Sequence, residues 1–163
     1  MKRFIPNAVT LASAISGSAA IFLCIAHSPL LASSLLLLAV VLDGMDGTLA
    51  RKLGVTSEMG GSLDSLADIV AFGVAPAVLV VSQFPASSLL MAAGTVFVAC
   101  GIFRLARFSV LPKGPAFVGM PITVNGLLFP LLTFIGANEW ISFAALAVMA
   151  ALMVSTIRVP RFL

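Results

Sequence analysis

The sequence predicts an all-α fold: a polytopic membrane protein with six transmembrane helices and both termini on the cytoplasmic side. Three observations carry this expectation. Hydrophobic residues make up 61% of the 163 residues and charged ones only 9%, whereas an ordinary soluble domain carries about a quarter charged. The apolar runs are long enough to cross a bilayer, which takes roughly 20 residues each. Once six spans are drawn, all nine Lys and Arg residues fall on one face, as the positive-inside rule requires of a cytoplasmic side.

The elements follow in order from the polar, Pro and Gly breaks between apolar runs. The first helix is expected over about Asn7–Ala26 and the second over about Pro29–Lys52. The third covers about Gly60–Phe84, the fourth about Ala86–Phe108, the fifth about Phe117–Gly136 and the sixth about Glu139–Ile157. The stretch from Ala8 to Ala26 is too long for the core of a cleavable leader and lacks a small-x-small exit, so it reads as a span. Lys2, Arg3, Arg51, Lys52, Arg104, Arg107, Lys113, Arg158 and Arg161 flank helices on one side. The connections at His27–Ser28, Gln83–Pro85 and Ala137–Asn138 contain no Lys or Arg. A five- or seven-span count would scatter the charges. At this length one domain is expected, residues 1–163. Cys24 and Cys100 lie apart in apolar runs and read as small buried hydrophobes, and His27 reads as a loop residue. The net charge of +3 is explained by topology, so no nucleic-acid partner is expected.

The acids are the informative exception. Asp43, Asp46, Asp64 and Asp68, four of the six acidic residues, lie inside two adjacent membrane helices, where an ionisable side chain is costly and marks function by default. Asp43 is eight residues before Arg51, which at ~1.5 Å per residue places it roughly 12 Å inward from the basic helix end. Asp43, Asp46, Gly47 and Ala50 share one helical face, and Gly60, Asp64 and Asp68 share another. The short connection around Leu53–Met59 makes the two helices antiparallel neighbours, so four carboxylates converge near the cytoplasmic side. They cannot share a low-dielectric pocket unpaired. Arg51 offsets one; protonation or bound cations must answer for the rest, and an all-oxygen cluster suits Mg²⁺ or Mn²⁺. Two such ions ~3.5–4 Å apart are the standard clamp for displacement at phosphorus. Gly47 and Ala50 leave room on the acidic face for a base or a phosphate, and Gly60 allows close helix approach. A single membrane acid can simply pair helices, but four on converging faces call for cations.

Asp43-Gly-Met-Asp46-Gly47-Thr-Leu-Ala50-Arg51, eight residues, Gly60, three residues, Asp64, three residues and Asp68 resembles the CDP-alcohol phosphotransferase signature without a gap. The six-helix plan extends the resemblance over essentially the whole chain. It implies that Asp43, Asp46, Asp64 and Asp68 hold two divalent ions, with Asp68 also the catalytic general base. It implies that Gly47, Arg51 and Ser57 contact the cytidine diphosphate, with Ala50 and Gly60 beside it, and that Ile5-Pro6-Asn7-Ala8 caps the nucleotide. Leu63–Pro76, Arg104–Phe108, Gly119–Pro121 and Met153–Arg158 are similar to the phosphatidylserine synthase branch of that family. The implied reaction takes CDP-diacylglycerol and L-serine and releases CMP in an integral, multi-pass protein of the inner membrane, with its active site facing the cytoplasm. The resemblance also implies a homodimer.

Serine is a zwitterion whose carboxylate needs a cation near the acidic centre. Arg104 and Arg107, spaced i, i+3, are the candidates, and Asn125, polar within the fifth helix, offers a further hydrogen bond. The alternative acceptors are glycerol phosphate, inositol phosphate and choline, and the alternative donor is an archaeal CDP-lipid. From a different class, a divalent-cation transporter would use the same four acids as an ion site, although Gly47, Arg51 and the lack of a polar exit path argue against it.

Overall fold

Helix α1 (Phe4–Ile25) and helix α2 (Pro29–Leu53) form a long apolar hairpin. The computed structural model describes residues 4–53, 58–110, 116–156 and 158–160, with side chains described over 7–48, 59–109 and 119–156. His27 closes α1 in the left-handed region at φ 55°. Its N–H bonds Cys24 O, while Ser28 N–H reaches back to Leu23 O at 2.9 Å, so the last carbonyls of α1 are satisfied inside the turn. Pro29 opens α2, where its missing N–H leaves nothing unmet. Thr10, Ser13 and Ser16, three residues apart, form a buried small-polar stripe on α1. Ser13 Oγ donates to Ala39 O on α2 at 3.2 Å.

The expected third helix is one rod with a widened middle: helix α3 (Glu58–Asp68), a π-turn (Ile69–Val74) and helix α4 (Ala75–Gln83). Pro76 supplies the reason. It has no N–H, so the Phe72 carbonyl four residues earlier lacks an α-helical donor, and a regular helix would press the proline ring against it. The backbone widens instead, with Ala75 N–H bonding Val70 O five residues back. Helix α5 (Ser88–Val110) is capped by Ser87, whose hydroxyl accepts from Leu90 N–H and donates to Glu139.

The expected fifth helix begins later than Phe117. Strand β1 (Ala116–Val118) pairs antiparallel with strand β2 (Arg158–Pro160), with Phe117 opposite Val159. Gly119 then turns the chain at φ 81°, and Pro121 precedes a 3₁₀ turn (Ile122–Val124) into helix α6 (Asn125–Phe134). Gly119 and Pro121 stop a helix from running through this segment. Helix α7 (Glu139–Val154) starts at an Asn138 cap that accepts from Ile141 N–H at 3.0 Å. It ends before the expected Ile157, because the chain becomes extended at Ser155 to enter β2.

The described residues are therefore all-α apart from one short ribbon. Among the described residues, four helical runs are long and apolar enough to cross a membrane: Asn7–Ile25, Pro29–Thr48, Met59–Gln83 and Ser88–Ser109. Ile122–Phe134 and Glu139–Val154 are apolar but shorter. Helix α1 packs on α2, α2 on α6 and α5 on α7. Phe72, Phe97 and Phe129 fill the centre, the last two edge-to-face with ring centroids 5.4 Å apart. Many large apolar side chains, Phe22, Ile135 and Trp140 among them, point outward. In water such a surface would aggregate; in lipid it is solvated.

Candidate active site

Spacings of three and four put Asp43 and Asp46 on one face of α2 and Asp64 and Asp68 on one face of α3. One carboxylate oxygen from each of Asp43, Asp64 and Asp68 lies within 4.8 Å of the other two. Asp43 and Asp68 are within hydrogen-bonding reach of each other. Asp46 stands beside this trio, close enough to interact electrostatically with Asp43 and Asp64. It is 5% exposed and accepts a hydrogen bond from the Thr10 hydroxyl. Among the described residues α2 and α3 make little direct contact; α1 packs against both and holds them in register.

The donor set fits a hard divalent cation. It is all oxygen, the three ligand atoms already converge, and two buried oxygens, Asp46 Oδ2 and Asp68 Oδ1, have no hydrogen-bond partner among the described residues. An orphaned buried carboxylate oxygen is expensive unless something fills its lone pairs. Mg²⁺ and Mn²⁺ are the ions such ligands favour.

Arg104 of α5 is 7% exposed, faces Asp68, and has an Nε without a hydrogen-bond partner among the described residues. Arg107 lies one turn on. Its Nη1 donates to Val154 O at 3.2 Å and its Nη2 to Ser155 O at 3.0 Å, so it caps the C-terminus of α7. Asn125 is fully buried; its Nδ2 donates to Phe72 O at 3.2 Å and lies 3.5 Å from Met153 Sδ. Of the residues expected around the nucleotide, Gly47 is exposed, and among the described residues a Cβ placed on it would meet nothing within 4 Å. Gly60 is half-buried at the start of α3, Asn7 is half-buried, and Ala8 is exposed near the start of α1. Ile5, Pro6, Ala50 and Arg51 have helical backbone, but their side chains lie outside the described residues, as does Ser57 altogether. Sequence reasoning missed Thr10. The signal was present: Thr10, Ser13 and Ser16 recur every third residue in an otherwise apolar helix.

The fold and the site define a helical membrane protein with an all-carboxylate centre at one end of its spans. A sequence model of the CDP-alcohol phosphatidyltransferase family matches residues 3–157. The chain belongs to that family. It is 41% identical over 132 residues to the CDP-diacylglycerol–serine O-phosphatidyltransferase of Methanocaldococcus jannaschii, covering 79% of this chain and 63% of that protein. It is 38% identical to the archaetidylserine synthase of Methanothermobacter thermautotrophicus, covering 96% of this chain and 70% of the relative. It is 36% identical to the CDP-diacylglycerol–serine O-phosphatidyltransferase of Bacillus subtilis, covering 98% and 91%. The chain thus spans less than two thirds of the first relative and nearly the whole of the last.

Proposed function

We propose that this chain is a metal-dependent phosphatidyltransferase that moves the phosphatidyl group of CDP-diacylglycerol to L-serine, releasing CMP, in phospholipid biosynthesis. The observation that carries the reading is the convergence of Asp43, Asp64 and Asp68 oxygens within 4.8 Å, in a chain whose relatives over most of its length are named for serine transfer. The serine hydroxyl oxygen bonds to the lipid-side phosphorus, the anhydride bond to CMP breaks, and the hydroxyl proton passes to Asp68. Asp68 Oδ1 is the partnerless acceptor this role needs. A carboxylate is a weak base against an alcohol, so the proton moves late, as CMP departs. Asp43, Asp46, Asp64 and Asp68 would hold two Mg²⁺ or Mn²⁺ ions, which would supply neutralisation of the pyrophosphate charge. Arg104, buried beside Asp68 with a free Nε, grips the serine carboxylate with its planar fork. The exposed face at Gly47 receives the cytidine diphosphate, and the family resemblance assigns further contacts to Ile5, Pro6, Asn7, Ala8, Ala50, Arg51, Ser57 and Gly60.

The chain crosses the membrane six times with both termini and the acidic centre at the cytoplasmic face, as the one-sided placement of its nine basic residues supports. The two shorter helical runs, Ile122–Phe134 and Glu139–Val154, span by local thinning of the bilayer. A homodimer is in keeping with the family. An archaeal CDP-lipid donor is a second reading, favoured by the likeness to an archaetidylserine synthase. The experiment is substitution of Asp43, Asp46 or Asp64 by Asn, each expected to abolish CMP release because a neutral amide anchors a hard dication poorly. Substantial activity in any two variants would sink the metal reading. Divalent-cation flux into liposomes without CMP release would make the chain a transporter.

A further inference from the structure

The π-turn after Asp68 rests on a contact that the transfer reaction does not itself require. Pro76 deprives the Phe72 carbonyl of its helical donor, and Asn125 Nδ2 takes that donor's place at 3.2 Å from across the bundle. Asn125 is 0% exposed, and its Oδ1 has no hydrogen-bond partner among the described residues. A buried amide with an orphaned oxygen is a costly way to fill space, so the NH₂ is what the site keeps it for.

The π-turn sets the phase of the acids. It holds one residue more than an α-helical turn, and each residue turns the helix by about 100°. Closing it to regular α-helix would rotate α3 against α4 by about that angle. Helix α4 cannot absorb the rotation, because Ala75, Pro76, Leu79 and Val80 are buried in the core. Nor can the turn itself, which is clamped from two sides. A Cβ on Gly17 would sit 2.6 Å from Ala71 Cα, and one on Gly126 would sit 2.5 Å from the Phe72 ring. The rotation falls on α3 and carries Asp64 and Asp68 away from Asp43, when a metal centre needs its ligands held within about 0.5 Å.

We propose that Asn125 is a positioning residue for the acidic centre: by holding the Phe72 carbonyl it keeps the π-turn that aims Asp64 and Asp68 at Asp43 and Asp46. The catalytic consequence rests on the proposed function; the geometric one does not. Asn125→Leu keeps the size and removes the donor. Pro76→Ala combined with Asn125→Leu restores a backbone N–H for the Phe72 carbonyl without Asn125. Three readouts are taken: melting temperature in detergent, Mn²⁺ affinity without lipid together with CMP release, and cross-linking. The last uses a short bis-thiosulfonate and cysteines introduced at positions 43 and 64, after Cys24→Ala and Cys100→Ala.

In Asn125→Leu, Pro76 still bars regular helix, so the bared Phe72 carbonyl must turn toward another donor and distort the π-turn; Mn²⁺ binding should weaken and CMP release slow at least tenfold, with a lower cross-link yield. The double variant should regain the melting temperature yet keep weak Mn²⁺ binding and poor cross-linking, because its third span closes into regular helix. The proposal is overturned if Asn125→Leu stays within twofold of the parent in affinity, turnover and cross-linking. It is also overturned if the double variant regains Mn²⁺ affinity along with stability, which makes the role merely structural. A double variant that fails to fold overturns it too, because the Phe72 carbonyl is then not what Asn125 serves. If the parent chain neither binds Mn²⁺ nor releases CMP, the transferase reading fails, while melting and cross-linking still decide this one.

Discussion

Replacing Arg107 with alanine removes two hydrogen bonds from the end of α7, one to Val154 O at 3.2 Å and one to Ser155 O at 3.0 Å. Hydrogen bonds from a charged donor contribute about 1.5–3 kcal/mol each. Arg107 is only half-buried, so water replaces part of each, and about 2 kcal/mol in total is the expected loss. For a chain of this size that corresponds to a melting temperature lower by roughly 4–8 °C. Serine KM should stay within about threefold of the parent, because the guanidinium is committed to the helix end. Arg104→Ala should do the reverse. It removes the cation facing Asp68, so serine KM should rise tenfold or more, about 1.4 kcal/mol or above, with CDP-lipid KM little changed. The assay pairs thermal unfolding in detergent with initial rates of CMP release at varied serine and varied CDP-lipid. A large serine KM effect in Arg107→Ala with none in Arg104→Ala would refute the assignment of the two arginines.

Gly17→Val should destabilise the bundle by about 2 kcal/mol or more on thermal unfolding, because its Cβ would meet Ala71 backbone at 2.6 Å and backbone cannot step aside. Asn138→Ala should cost about 1 kcal/mol by loss of the α7 cap and leave turnover unchanged, as read by melting and CMP release. Chelating divalent ions should stop CMP release, and Mn²⁺ or Mg²⁺ should restore it where Ca²⁺, which prefers longer bonds and more ligands, restores far less. Cysteine labels near Lys52, Lys113 and the C-terminus should react only from the cytoplasmic side and labels at His27, Gln83 and Asn138 only from outside. A C-terminus labelled from outside would overturn the six-span count.

The acidic centre was legible because charge inside an apolar run is conspicuous and spacings of three and four fix a helical face without tertiary knowledge. Asp43, Asp64 and Asp68 meet as that spacing requires. The long helices were legible for the same reason: length and hydropathy are local properties. The roles of Arg107 and Asn125 were not, because each answers to a backbone carbonyl on another helix. Arg107 makes sense only once α7 is known to end at Val154, and Asn125 only once Pro76 has left the Phe72 carbonyl without a donor. Pro76 was visible in the sequence, but the helix it widens and the partner it needs lie about fifty residues apart. The apolar residues around Gly119 and Pro121 extend the expected fifth helix back to Phe117, whereas the ribbon with Arg158–Pro160 that replaces its start is a long-range pairing.

The most direct measurement is CMP release by the purified chain given CDP-diacylglycerol, Mn²⁺ or Mg²⁺, and a panel of alcohols. Release with L-serine should be well above that with glycerol phosphate, inositol phosphate or choline, and it should disappear in Asp68→Asn. Release with another alcohol and none with serine would contradict the acceptor, and undiminished release from Asp68→Asn would contradict the mechanism.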